Sequence, residues 1–568
     1  MKDKKVILLT FFTLVLTIAL FVMLYSSMLT NLPLFGDAAT ISSITHSLIK
    51  GESFNSNINY PLLYYIVQSF MVLIFGDIGF NLIIIIGLIL IGLGVFFLVK
   101  EITNKNYLSI LALIFVLSSS KIIFYSARMY MEIFLSGLFI FSIFLFISYL
   151  KYDSKRYLVL SAILIGFTTS VKQQGLFVLL TSVIFFFVLM IIIRPEKKKR
   201  SFIFKDMLLF FIISFLILLF PYANLLHTDG MIIPGTDEFY ITNEINSFGQ
   251  KISLYNLDNQ EINFNEKYGS LLESIKDQYY QKATEKAEER HIWPWDPFIS
   301  LSDFLNVNSL YLEKFGGGNT SSNLANTMNV LLITGMLMGI ATFLFTKKNI
   351  KYDKRLFGLI LLFFIVFTLI NYAIFFRTND QTRYHLFIPV LFSIFLIIPI
   401  YFFIHNILIN FSKTLKLIII GILILLVFIS FIDLTVKDSI YQQKWKSSQL
   451  YTPSIGGIDS VEEVGKWVKD NTNKDDLIWQ TCGSELLFYS ERKVIGDYRV
   501  YFFNSSEREE AFKDRNVKFL VIFDSQIVND GSWDNICKVP KSFANDISKN
   551  YPIAYKSSYK DINVYQIS

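Results

Sequence analysis

Tyr60–Phe75 reads YPLLYYIVQSFMVLIF and is followed by Gly76 and Asp77. The run is apolar and aromatic, yet it is shorter than the roughly 17 to 25 residues that a membrane-spanning helix needs. Counting it as a span or passing over it flips the side of every later loop, so its reading decides the topology. Passing over it puts Lys100 with Lys105, Lys151 with Lys155 and Arg156, Arg194 with Lys197 to Arg200, Lys347 to Arg355, and Lys413 with Lys416 on the side of the N-terminus. By the positive-inside rule that side is cytoplasmic. Tyr60–Phe75 is therefore expected as a helix lying in or dipping into the outer interface, with Tyr60, Tyr64, Tyr65 and Phe70 at headgroup depth.

On either side of this run, apolar stretches of spanning length fall at 6–28, 78–99, 107–124, 132–150, 157–172, 175–193, 204–224, 327–346, 356–376, 384–404 and 415–433. Composition agrees, because 53% of the 568 residues are hydrophobic and 17% charged, against about 25% charged in an ordinary globular chain. A single soluble fold is excluded, and so are disorder and a disulfide scaffold, with 57 Phe, 30 Tyr and two Cys. The net charge of +6 sits in short clusters between apolar runs. That is the pattern of topology signals, so no nucleic-acid partner is expected. The basic start followed by Val6–Leu24 has no small-residue cleavage site after it, and reads as a retained first helix.

The expected fold is a mainly α-helical polytopic membrane protein with about 11 transmembrane helices and a small C-terminal extracytoplasmic α/β domain. Residues 1–433 form the membrane module, with external loops at 29–77 and 225–326, and residues 434–568 form the external domain. In that tail, Ser460–Asn471 and Ser506–Asp514 read as helices and Leu477–Thr481, Lys493–Ile495 and Phe519–Phe523 as strands. Cys482 and Cys537 lie there as a pair or as two buried thiols.

Charges are nearly absent from the middles of the expected helices and gather at their outer ends: Asp37, Lys121, Arg128, Glu132, Lys172, Arg377, Asp380 and Arg383. Burying a charge at the membrane edge is costly unless it has a partner or a task. Acids beside fixed cations suit a reaction on an anionic lipid headgroup, with a carboxylate to take a proton and Arg or Lys to hold phosphate oxygens. The plainer alternative is snorkelling cations with rim ion pairs. In the large loop, Trp293 and Trp295 read as interfacial anchors, with stacking on sugar rings as the alternative.

Five features in order carry a family resemblance: Gly36-Asp37-Ala38 soon after the first helix, Tyr60-Pro61-Leu62-Leu63-Tyr64-Tyr65, Ala127-Arg128-Met129-Tyr130-Met131-Glu132, Lys172 at a helix end, and Arg383-Tyr384 with Pro389. Over roughly residues 1–405 the sequence resembles the GT-C superfamily of integral membrane glycosyltransferases, in the branch of protein O-mannosyltransferases and lipid A aminoarabinose transferases. The resemblance implies an inverting transfer of a sugar from a polyprenyl-phosphate donor to an acceptor glycan, lipid or protein on the external face. It places Asp37 as general base toward the acceptor and Glu132 as the second acid, which orients the acceptor or pairs with Arg128 on one helical face. Lys172, Arg377 and Arg383 would bind the donor phosphate and neutralise the charge growing on it. Tyr384, Tyr60 and Tyr64 would line the substrate site.

Other readings stay open at these positions. Asp37 is also a good N-cap for a helix starting near Ala38, and Tyr64 and Tyr384 also suit an aromatic belt. Tyr60 stands where the family typically has a His before the proline. No cofactor is expected; a divalent ion at Glu132, as in oligosaccharyltransferase relatives, has no metal cluster in the sequence behind it. A lipid or solute transporter or flippase is the rival class, but repeated halves and midplane polar groups are not visible in the sequence.

Overall fold

The computed structural model describes residues 2–29, 37–50, 62–171 and 200–229 and, with short interruptions, 458–567, together with scattered helical positions between 179 and 436. Two compact units divide the chain. One comprises Met1–Asn31, Ser53–Ile233 and Ile292–Gln442, and the other Leu32–Glu52, Pro234–His291 and Gln443–Ser568.

Among the described residues of the first unit the continuous helices are α1 (Lys2–Leu29), α3 (Leu62–Phe75), α4 (Ile78–Thr103), α5 (Asn106–Leu117), α6 (Ser120–Ala127), α7 (Glu132–Tyr152), α8 (Lys155–Val171) and α9 (Arg200–Asp229); α2 (Asp37–Lys50) falls in the second. Among the described residues α4 and α7 are each long and apolar enough to cross a bilayer. They pack against each other, with α5 and α3 also on α4 and α8 on α7. Lipid tails are as apolar as Leu, so such helices are held by close packing rather than by the hydrophobic effect. Small residues permit it here: a β-carbon on Gly137 would lie 2.5 Å from the Gly87 carbonyl oxygen, and one on Gly87 would lie 2.8 Å from the Phe134 Cα.

The stretch expected as one span over 107–124 is two helices. α5 and α6 meet at an angle of 50° across Ser118 and Ser119, where α5 ends and Ser119 caps α6. Ser119 is extended and its Oγ accepts from the Ile122 amide at 3.4 Å, starting α6, while Tyr25 in α1 donates its hydroxyl to the Leu117 carbonyl at 2.8 Å, satisfying an end of α5. The run that decides the topology is α3, followed by a turn in which Gly76 has φ 65, and α4 begins at Ile78. α3 buries Tyr64, Tyr65, Gln68 and Val72 and exposes Ile66, Phe70, Leu73, Ile74 and Phe75, an apolar face suited to lipid rather than water.

Opposite helix ends carry a polar clamp. Lys151 and Tyr152 at the end of α7 bond Glu101 in α4, at 2.5 and 3.1 Å, and Tyr149 donates to Asp206 in α9, which also lies 3.7 Å from Lys155 of α8. These tie four helices together where the sequence concentrates its basic loops.

The second unit contains, besides α2, a five-stranded sheet in the order β2-β1-β3-β7-β6. Its strands are β1 (Leu477–Trp479), β2 (Lys493–Ile495), β3 (Val517–Phe523), β6 (Ile553–Lys556) and β7 (Ile562–Gln566), and a separate ladder joins β4 (Ile527–Val528) to β5 (Val539–Pro540). β1, β2 and β3 run parallel, and β7 pairs antiparallel with both β3 and β6. Helices α10 (Ile458–Asn471), α11 (Ser505–Asp514) and α12 (Lys541–Asn550) complete it. Alternation along β1 sends Ile478 into a cluster with Val461, Val464 and Val468 of α10, and Trp479 into the opposite cluster with Phe512 of α11 and Phe543 of α12. Both faces of the sheet are thus buried. α11 begins with reciprocal bonds, Asn504 Oδ1 accepting from the Glu507 amide and Glu507 accepting from the Asn504 amide, both at 2.9 Å.

Candidate functional site

Glu132 is the first residue of α7 and only 3% exposed. A carboxylate there gains from the positive end of the helix, but its near-complete burial among apolar residues requires polar company. Tyr64 supplies some of it. This side chain is 1% exposed, lies within electrostatic reach of Glu132, and packs against Phe134 in a tilted ring pair with centroids 6.2 Å apart, so α3 and the head of α7 meet through these groups. The Tyr64 hydroxyl has no hydrogen-bond partner among the described residues.

Arg128 and Glu132 do not share a helical face. α6 ends at Ala127, Arg128 is its C-cap, and Met129 at φ 54 turns the chain in the left-handed region before α7 starts. The guanidinium donates to the Phe124 carbonyl at 3.1 Å and rests 3.3 Å from the centroid of the Phe124 ring, a cation closing the negative end of α6. Lys121 in α6 is fully buried, a position far from the snorkelling of a rim lysine. Gln68, one turn beyond Tyr64 on the same buried face, is a residue that sequence reasoning passes over. Its signal is a long polar side chain inside an otherwise apolar helix.

Asp37 is the first residue of α2, in the second unit. Lys172, Arg377, Arg383, Tyr384 and Tyr60 lie outside the described residues, as do Cys482, Cys537 and, from residue 230 onward, the loop expected at 225–326. Among the described residues no three His, Cys, Asp or Glu side chains converge as a metal cage would require.

No protein-family model and no curated protein matches the sequence. Solved structures do. ArnT from Cupriavidus metallidurans, solved with undecaprenyl phosphate, is 10% identical over 98% of each chain with a TM-score of 0.48. The oligosaccharyltransferase of Archaeoglobus fulgidus is 14% identical over 98% of this chain and 74% of that one, with a TM-score of 0.55. The fold is GT-C-like. With its apolar helices, the chain is a mostly helical membrane protein, in which Glu132 is the first residue of α7 and Asp37 the first residue of α2.

Proposed function

We propose that the protein is a membrane glycosyltransferase that moves a sugar from a polyprenyl-phosphate carrier to an acceptor on the external face of the membrane. The observation that carries the reading is a GT-C-like fold in which a buried acid, Glu132, opens an apolar helix beside Tyr64. Residues 1–433 are the membrane module and 434–568 an external domain that helps to bind the acceptor.

The reaction is a single displacement. The acceptor hydroxyl or amine attacks the anomeric carbon, its proton passes to Asp37, and the bond from that carbon to the phosphate oxygen breaks with inversion. Lys172, Arg377 and Arg383 meet the charge left on the phosphate, Arg128 closes α6 behind Glu132, and Glu132 with Tyr64 orients the acceptor. Tyr60 and Tyr384 flank the headgroup. A neutral nucleophile must shed its proton in the transition state, and a positioned carboxylate contributes about 10²- to 10⁴-fold to that step.

The test is transfer from radiolabelled polyprenyl-phosphate sugar by the purified protein. Asp37→Asn should bind donor as the wild type does and lose at least about 10²-fold in turnover. Full activity of that variant removes Asp37 as base, and a wild type that moves lipid without forming glycosylated product makes the protein a carrier.

A further inference from the structure

Glu491 sits between two helix ends from distant parts of the chain. Its Oε1 accepts a hydrogen bond at 2.5 Å from Nζ of Lys469, in the last turn of α10, and its Oε2 lies 3.7 Å from Nζ of Lys50, the last residue of α2. His46, one helical turn before Lys50, acts on the same carboxylate through its charge. The Lys469 hydrogen bond, joined by the charges of Lys469, Lys50 and His46, outweighs burial and holds the Glu491 carboxyl below the usual carboxylate range.

The turn that presents this carboxylate is fixed to α10. Glu491 has φ 50, a left-handed conformation that a residue with a β-carbon keeps only when its surroundings enforce it. Arg492 does so: Nε donates to Thr472 Oγ1 at 2.7 Å, and Nη2 to the carbonyls of Lys469 at 2.6 Å and Thr472 at 2.8 Å. These are bonds to the C-terminal end of α10, where a cation is favoured.

We infer that Glu491 is a positioning residue: through Lys50 the tail fixes the far end of α2, the helix whose first residue is Asp37. The inference rests on the reading of Asp37 as base. A helix of 14 residues is about 20 Å long and stiff, so a slight rotation released at Lys50 moves Asp37 by about an ångström. Misplacement of that order costs up to about 10²-fold in rate. An ion pair this exposed contributes little to stability, so its removal shows in turnover rather than in melting.

Glu491→Gln in the full-length protein should lower kcat about 5- to 10-fold with KM for donor and thermal unfolding unchanged, a fraction of the loss that a misplaced catalytic group can cause. Hydrogen exchange of the α2 amides should rise at the same time. Lys50→Cys with Glu491→Cys, in a background of Cys482→Ser and Cys537→Ser, should be equally slow and recover kcat when joined by a short bismaleimide. Unchanged exchange in α2 overturns the clamp. Raised exchange with unchanged kcat, or a cross-linked protein that stays slow, overturns the positioning role. Exchange needs no substrate, so a wild type that forms no product refutes the glycosyltransferase reading while leaving the clamp independently scored.

Discussion

The bundle and the tail solve the same packing problem with opposite residues. α4 and α7 approach until backbone meets backbone, through Gly87 and Gly137. Around the sheet of the tail the largest side chains do the work: Trp479 packs 5.7 Å from Tyr501, 6.4 Å from Phe512 and 5.6 Å from Phe543, ring centre to ring centre. Water explains the difference. Removing apolar area from water stabilises the tail in proportion to that area, whereas between helices already surrounded by hydrocarbon the remaining attraction is contact, which grows as the backbones close.

Truncation is accordingly worst in the tail. Trp479→Ala removes the largest fully buried side chain among the described residues and should cost about 3 to 5 kcal/mol. Hydrogen exchange should rise through β1, β3 and α12 while α4 and α7 keep their protection. Loss of protection in the bundle as well would break the comparison by showing one cooperative unit where two are expected.

Enlargement is worst in the bundle. Gly137→Leu drives a side chain into the Gly87 carbonyl and the Leu90 Cβ, which a β-carbon alone would meet at 2.5 and 2.9 Å. Neither neighbour is a flexible side-chain tip, so the helices must part, at about 3 kcal/mol. Because α7 begins at Glu132, the candidate site moves with it, and the variant should lose glycosyl transfer at temperatures where the protein remains folded by circular dichroism. A fully active Gly137→Leu protein would refute backbone contact as the bundle's main adhesive.

Legibility in the sequence follows the same division. Ile78–Thr103 and Glu132–Tyr152 are helices where unbroken apolar runs announce them, since a backbone in hydrocarbon has no other means of satisfying itself than a helix. Ile458–Asn471 covers the amphipathic run read as Ser460–Asn471, and β2 covers Lys493–Ile495. The break at Ser118–Ser119 escapes a hydropathy reading because serine barely lowers the mean; only the cap and the bond from Tyr25 reveal it. Arg128 and Glu132 are spaced as helical neighbours, but the left-handed turn at Met129 lies between them. Spacing assumes a continuous helix, and nothing in Ala127–Met131 marks its end. The grouping of α2 with the tail depends on contacts across hundreds of residues, which a local reading does not reach. The cations assigned to the donor phosphate, Lys172, Arg377 and Arg383, remain expectations from motif order.

Ser119→Ala sharpens the contrast at a smaller scale. It removes the cap of α6 and should cost about 1 kcal/mol, with hydrogen exchange rising at the amides of the first turn of α6, Ile122 foremost. The bend itself should persist, since Tyr25 still holds the Leu117 carbonyl; a straightened α5–α6 segment in a structure of the variant would assign the bend to Ser119 alone.

The smallest effect is expected at the sheet edge, where water competes. Tyr555 in β6 donates its hydroxyl to Glu463, which also accepts from the Ser558 amide at 3.0 Å and the Ser558 hydroxyl at 2.6 Å. Burial alone would raise the Glu463 carboxyl, but the bonds from Ser558 and Tyr555 outweigh it and hold it below the ordinary range, while the bond to Glu463 pushes Tyr555 up to about 12. The native state thus releases the Glu463 proton more readily than the unfolded chain and holds the Tyr555 proton more firmly. The Glu463 contribution is present above its ordinary value of 4.5 and is lost as pH falls through the lower folded value; that of Tyr555 is complete below 10.0 and is lost as pH rises toward about 12. Solvent screening keeps the combined contribution below about 1 kcal/mol. Tyr555→Phe should therefore leave the melting temperature nearly unchanged at pH 7 and raise exchange only at β6. The part of the alkaline destabilisation that Tyr555 causes should disappear with it. A variant that lost stability equally at every pH would show that the ring stacked on Trp467 at 4.8 Å, rather than the hydroxyl, is what that edge depends on.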